Sequence, residues 1–322
     1  MATEVKETIP YDMETFRLKT SAAIDEVKKA IIGKSSLVED MMIALLSGGN
    51  IMLEGAPGVA KTTIAKTFAS VLDLDYKRIQ FVPDLLPTDI TGSYIYNQKH
   101  SEFYFKKGPI FTNILLVDEV NRASPKTQSS LLEAMEERQV SVDVSTFPLP
   151  SPFMVITTQN PIDVVGTFPM PEAQIDRFMF KLTVGYPSAD EELEMLRLKD
   201  LNSVITVNKV LVRHEVLNLV DTVSRVHVGD KVIEYIRDLI MASRTHEKLL
   251  LGGSPRASIS LLKASKAVAA MDGRDYVIPD DIKALAPKVL THRLIVKPEY
   301  ELENLTSDEI IDELLNTVKV PE

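Results

Sequence analysis

Apolar residues along this chain follow two rhythms. Over residues 12–47 they recur every three to four positions, at Met13, Phe16, Ile24, Val27 and Ile31, then at Leu37, Met41 and Leu45. This spacing predicts two helices broken at Gly33. Short apolar runs then alternate with helical stretches. Strands are predicted at 51–54, 76–81, 114–117, 153–159 and 178–184, with helices at 61–72 and 124–138 between them. Apolar strands separated by helices imply a parallel sheet covered on both faces. From Ala189 onward the helical period takes over, at 190–201, 213–226, 230–247, 256–271 and 279–290. Asp230 after Gly229, Ser254-Pro255 and Pro279-Asp280 supply the start signals. The fold class is therefore α/β followed by an all-α part, with an α/β domain expected over 1–187 and a helical domain over 188–322. Thr306 and Glu309 are spaced as a capping box for an acidic terminal helix with Ile310, Ile311, Leu314 and Leu315 on its apolar face. That face would pack on its own domain or on a partner.

Two segments interrupt the alternation. Between Pro87 and Pro109, Tyr94 and Tyr96 face Phe103 and Phe105 in pattern across the polar tip 97–101, which predicts a hairpin. Its aromatics would either grip a client or pack on the sheet. A second segment, 139–152, alternates Val140, Val142 and Val144 and carries three prolines.

The richest chemistry lies at Gly55-Ala56-Pro57-Gly58-Val59-Ala60-Lys61-Thr62, between the first strand and the helix that continues with Thr63. A strand, a Gly-rich loop and Lys-Thr opening a helix form a phosphate cradle. Backbone N–H groups and the helix N-terminus face the anion, Lys61 reaches the outer phosphates and the Thr62 hydroxyl ligates Mg²⁺. The strict pattern has Gly where Ala60 stands, and a plain glycine-rich turn is the alternative reading. A second feature decides between them. The apolar strand at 114–117 ends in Asp118-Glu119. There Asp118 would hold Mg²⁺ through water and Glu119 would orient the water that attacks the γ-phosphate. Another strand ends at Asn160-Pro161, where Asn160 would either hydrogen-bond that water or simply open a turn.

Composition narrows the partners. The 322 residues are 45% hydrophobic and 25% charged, enough for one large or two ordinary cores, and no apolar run is long enough to span a bilayer. There is no cysteine, which removes disulfides, thiolate metal sites and a cysteine nucleophile and fits a reducing, cytoplasmic setting. The net charge of −10 argues against duplex nucleic acid as the ligand. The five histidines show no metal-ligand spacing and read as surface or structural.

Taken together, Gly55 to Thr62, Asp118-Glu119-Val120-Asn121-Arg122-Ala123, Thr158 to Pro161, Pro171 to Phe178 and Gly253 to Ala257 resemble the MoxR family of AAA+ ATPases, over about 31–293. In that family Ala often stands where Ala60 does. The resemblance implies a P-loop NTPase core with a five-stranded parallel sheet and a helical lid. Lys61 and Thr62 would form the Walker A pair, Asp118 and Glu119 the Walker B pair, and Asn160 sensor 1. Arg177 would be the arginine finger reaching a neighbouring subunit's nucleotide, and Arg256 sensor 2 on the lid, in its own subunit or across the interface. Ile32-Gly33-Lys34 falls where the family contacts adenine, with Lys34 in place of a more usual Gln. The first hairpin matches the helix-2 insert that faces the ring channel in this branch, and the second resembles the hairpin that precedes sensor 1. The implied activity is Mg²⁺-dependent ATP hydrolysis by a ring, a hexamer, that remodels a client together with a separate von Willebrand factor A-domain protein. A nucleic-acid motor and a magnesium-chelatase-type ATPase subunit belong to the same branch and stand as alternatives.

Overall fold

The computed structural model describes residues 8–31, 33–55, 61–143, 145–160, 166–200 and 206–321, with the side chains of 198–200 excluded. In chain order, the first part contains α1 (Met13–Lys29), α2 (Ser35–Leu46), β1 (Ile51–Glu54), α3 (Lys61–Val71), β2 (Tyr76–Gln80) and α4 (Pro87–Thr91). The hairpin β3 (Gly92–Asn97) and β4 (Glu102–Lys107) comes next, then β5 (Ile114–Asp118), α5 (Pro125–Glu137) and a second hairpin, β6 (Gln139–Val142) and β7 (Ser145–Pro148). It closes with β8 (Met154–Gln159), α6 (Glu172–Ile175) and β9 (Phe180–Thr183). The remainder holds α7 (Ala189–Asp200), α8 (Arg213–Ser224), α9 (Asp230–Thr245), β10 (Leu249–Leu251), α10 (Pro255–Met271) and α11 (Pro279–Leu290). It ends with β11 (Ile295–Val296), α12 (Pro298–Glu301) and α13 (Ser307–Thr317).

Five strands form one sheet in the order β2-β5-β8-β1-β9, and every pairing is parallel. Their residues alternate between two cores, as the two-residue period of a strand requires. Ile51, Leu53, Ile114, Leu116, Met154 and Ile156 face the core shared with α1, α2, α3 and the C-terminal helices. Met52, Leu115, Val117 and Val155 face a second core closed by Leu131, Leu132 and Met135 of α5. Phe16 and Phe68 are fully buried in the first core. Each contributes on the order of 1.5–3 kcal/mol by leaving water.

The first core does not stop at the expected boundary near residue 187. α1 and α2, expected to belong with the sheet, also pack on α10, and α2 on α8. Small side chains on α10 (Ala257, Ala264, Ala267, Ala270) are buried there and permit that close approach. The C-terminal part also carries one antiparallel pair, β10 with β11, that helical periodicity did not predict. α13 starts with the expected capping box. The Thr306 N–H donates to Glu309 Oε2 at 2.9 Å and the Glu309 N–H to Thr306 Oγ1 at 3.3 Å. Its Ile310, Ile311 and Leu314 are buried against the protein's own helices.

Both predicted hairpins form. β3 and β4 pair in the register Tyr94 to Phe105 and Tyr96 to Phe103. The two hairpins pack on each other through Phe105 stacked on Phe147 at 4.2 Å, while Tyr96, Phe103 and Tyr104 remain exposed. The base of the aromatic hairpin is thus structural and its tip is free. Val144 of the second hairpin lies outside the described residues.

Candidate functional site

In an open parallel sheet the polar chemistry gathers at the carboxyl ends of the strands. Here β5, β8 and β1 are neighbours and end together in Asp118-Glu119, Gln159-Asn160 and Glu54-Gly55. Two strand spacings separate the carboxylates from Gly55, on the order of 10 Å. Gly55 is packed so tightly that a Cβ there would meet the Val184 carbonyl oxygen at 2.3 Å. α3 opens at Lys61-Thr62-Thr63, as expected. The Lys61 ammonium donates to the Gly55 carbonyl at 2.6 Å. Burial pulls its pKa below the ordinary value, against the attraction of Asp118, Glu119 and Glu54. Ala56, Pro57, Gly58, Val59 and Ala60 lie outside the described residues, as does Ile32. Gly33 has φ +71 and sits against Glu191 of α7, whose carboxylate a Cβ would meet at 2.0 Å. Lys34 donates to the carbonyl of Gly185 at 2.9 Å, so this segment joins the start of α2 to the chain leaving β9.

The carboxylate pair is held by Arg78 and Gln80, which the motifs did not name, and by Thr158 and Arg122, which lie within them. Asp118 is only 7% exposed, and a buried carboxylate requires partners. Arg78 of β2 donates from Nε to its Oδ2 at 2.5 Å, and the Thr158 hydroxyl donates to its Oδ1 at 3.1 Å. Thr158 Oγ also accepts the Glu119 N–H at 3.0 Å. Glu119 itself adopts φ 56, ψ 53, a left-handed conformation that costs a non-glycine residue about 1–2 kcal/mol. Besides the Thr158 bond, the Arg122 N–H donating to the Glu119 carbonyl at 2.9 Å holds it there. In this conformation the Glu119 carboxylate meets Gln80 Nε2 at 2.7 Å and Arg122 Nε at 3.0 Å.

Arg177 and Arg256 lie elsewhere. Arg177 precedes β9, and the Met179 N–H donates to the Asn50 carbonyl at the start of β1. From Asn50 to Gly55 is five residues at about 3.3 Å each, on the order of 16 Å, farther than an arginine side chain reaches. Arg256, in the first turn of α10, stands beside Arg177 on this amino-terminal edge. A first-turn cation opposes the helix dipole and calls for an anion. Glu136 of α5 supplies it, pairing through Oε1 with Arg256 and through Oε2 with Arg177 Nη1 at 3.1 Å. The two arginines border a cavity of about 360 Å³ lined also by Arg138, Lys263 and Arg293, so five cations face the two carboxylates Glu136 and Asp176. The floor is rigid. Arg293, 5% exposed, bonds Asp176 Oδ1 at 2.8 Å and the carbonyls of Asp176 and Phe178 at 2.9 and 2.6 Å. The Ser254 hydroxyl lies 2.7 Å from the same carboxylate and caps α10.

The structure thus brings Gly55, Lys61, Thr62, Asp118, Glu119 and Asn160, all named from the sequence, to one edge of the sheet, and places Arg177 with Arg256 at the other. Sequence reading missed Arg78, Gln80, Glu136 and Arg293. One local signal was available: Arg78 and Gln80 share a face, two residues apart, on a strand otherwise expected to be apolar.

Residues 50–180 match the family model described as "ATPase family associated with various cellular activities (AAA)", and 241–314 match one described as an AAA lid domain. The chain is 47% identical over 300 residues to the uncharacterized protein YeaC of Bacillus subtilis, covering 93% of this chain and 94% of that one. It is 43% identical over 309 residues to the chaperone MoxR1 of Mycobacterium tuberculosis, covering 93% and 82%. A crystal structure of a protein from Cytophaga hutchinsonii matches with a TM-score of 0.91 at 41% identity, covering 96% and 97%.

Proposed function

The chain belongs to the MoxR family of AAA+ ATPases, and from that premise we propose that it hydrolyses ATP with Mg²⁺ at sites shared between neighbouring copies in a ring, a hexamer. The observation that carries this reading is the separation of its charged groups onto opposite edges of one parallel sheet. The edge with Lys61 offers the carboxylates and the start of the phosphate-binding sequence, but its two described arginines, Arg78 and Arg122, are engaged by Asp118 and Glu119. The opposite edge has a cavity rich in cations on a protein of net charge −10. A polyphosphate bound at the first edge of one copy and facing the second edge of the next satisfies both.

The donor set fits a magnesium nucleotide. Mg²⁺ favours hard oxygen ligands, usually one or two carboxylates with water and substrate phosphate. Asp118 and the Thr62 hydroxyl offer that chemistry, and no described cluster of three acidic or histidine side chains competes for the ion. When bound, Mg²⁺ neutralises charge on the phosphate oxygens. Lys61 holds the outer phosphates. Glu119, aimed by its strained backbone and steadied by Gln80 and Arg122, orients the attacking water and takes its proton. Asn160, following β8, would position the same water. Arg177, with Arg256, enters from the neighbour and stabilises the charge that spreads over the phosphoryl oxygens.

The turnover serves to remodel a partner protein, with a von Willebrand factor A-domain protein as a further partner in the cytoplasm. The exposed aromatic tip Tyr96, Phe103 and Tyr104 is suited to gripping an unfolded segment. No described helix is long and apolar enough to cross a membrane.

Mixing variants tests the shared site. Arg177→Ala should bind nucleotide but hydrolyse it roughly a thousandfold more slowly. Glu119→Gln should bind without turning over. Mixed, the two should regain part of the turnover, because an intact Glu119 then meets an intact Arg177. Full hydrolysis by Arg177→Ala alone would sink the reading.

A further inference from the structure

We propose that Glu136 is a positioning residue that binds Arg177 and Arg256 into one unit, so that the two arginines enter the neighbour's nucleotide site together. This rests on the shared-site reading above. The two cations come from distant parts of the chain: Arg177 from the segment before β9, Arg256 from α10 in the C-terminal helical part. Glu136 sits in the last turn of α5 and meets one with each carboxylate oxygen. Arg177 has little else to set its direction, since its buried Nε makes no hydrogen bond. Asp176, the other carboxylate of the cavity, is engaged by Arg293 and Ser254 and approaches Arg256 only to 3.9 Å. Glu136 is therefore the shared counter-ion of both guanidiniums.

Without that carboxylate, two like charges stand side by side over an already cationic cavity, and mutual repulsion drives them apart. With it, the pair is held converging on one opening. The three groups remain 31–41% exposed, so each ion pair is individually weak and the arginines stay free to turn toward a phosphate. Because Arg256 rides on α10 and Glu136 on α5, the same carboxylate also links the position of the helical part to the finger. Movement of one arginine then carries the other.

A double-mutant cycle on the full-length protein separates this role from ordinary structural support. Steady-state ATPase rates, nucleotide affinity and melting temperature would be measured for wild type, Glu136→Gln, Arg256→Lys and the double variant. Arg256→Lys keeps the charge and a measurable turnover but loses the two-pronged geometry. The expected result is a three- to tenfold lower kcat for Glu136→Gln, with nucleotide affinity and melting temperature unchanged, and less than a twofold further loss when Glu136→Gln is added to Arg256→Lys. An equal loss in both backgrounds overturns the coupling, as does a loss accompanied by weaker nucleotide binding or a lower melting temperature. If Arg177→Ala abolishes turnover while Glu136→Gln matches wild type, the shared site stands and this proposal alone fails. If Arg177→Ala retains full turnover, both fall.

Discussion

Arg293 offers a quantitative test of how the arginine-bearing edge is held. Its side chain is 2% exposed, and its guanidinium serves the Asp176 carboxylate, the carbonyls of Asp176 and Phe178 and, at 3.2 Å, the carbonyl of Met179. Burial lowers its pKa from the ordinary arginine value, opposed by Asp176, yet an arginine remains charged at any working pH. Truncation to Ala removes the cation and strands the groups it satisfied. Breaking a buried ion pair from one side costs about 3–5 kcal/mol, because the partner is left without compensation. Asp176 keeps its Ser254 bond and is 18% exposed, which places the expected loss near the lower end, about 3–4 kcal/mol. At roughly 2–4 °C per kcal/mol for a chain of this order of size, the melting temperature should fall by about 6–16 °C. Arg293→Lys should recover less than half of that, since one ammonium cannot span the same acceptors. Scanning calorimetry or dye-based melting at pH 7.5 reads the shift directly. A fall below about 2 °C for Arg293→Ala would refute the reasoning, showing that this network is replaceable by water. The same variant should lose turnover well below its melting temperature, because the acceptors of Arg293 flank Arg177.

Further outcomes follow from the opposite edge and from His292. Arg78→Gln removes the cation that competes for Asp118, so titration of nucleotide binding with Mg²⁺ should reach its midpoint at a lower metal concentration; an unchanged midpoint would mean Arg78 exerts no control there. Thr158→Val leaves the Glu119 N–H and one oxygen of the buried Asp118 without their partner, which should cost about 1–3 kcal/mol in urea unfolding and lower kcat more than it changes nucleotide affinity. The His292 side chain is part-buried, with Nε2 on the Phe178 carbonyl and Nδ1 buried and unpartnered, and its pKa lies well below 6.5 because of desolvation, reinforced by Arg293. The unfolded chain then binds the proton more readily than the folded one, so this stability is fully present above pH 6.5 and declines as pH falls below it, by up to about 1.4 kcal/mol per unit. His292→Gln should flatten the melting temperature between pH 6.5 and 5.5, a window above the ordinary carboxylate range; an unaltered slope would show that other groups govern it.

How much of this was legible in the chain depends on the range of the interaction that carries it. The five strands and the helix start at Lys61-Thr62 were readable because their determinants are local: short, mostly apolar runs of about four to six residues, and a Gly-rich segment in which Gly55, Lys61 and Thr62 lie within eight residues of each other. Asp118, Glu119 and Asn160 were readable at one remove, since an apolar strand that ends in polar residues states its direction, and parallel strands bring such ends together. Glu136 was not readable. It meets Arg177 and Arg256 from 41 and 120 positions away, on a helix whose charged face looks like any solvated one. The β10–β11 pair escaped for the same reason, its three leucines having the helical bias of their surroundings and a partner far along the chain. Arg78 and Gln80 fall between these cases. β2 is the edge strand, so it has one neighbour only, and that neighbour is the strand that ends in the carboxylates. A polar residue at every second position of such a strand can address nothing else in the sheet than Asp118 and Glu119. The composition of β2 therefore carried positional information that a reading built on apolar strands alone passes over: the edge of the sheet is where a fold can place a cation beside its catalytic carboxylates without burying it.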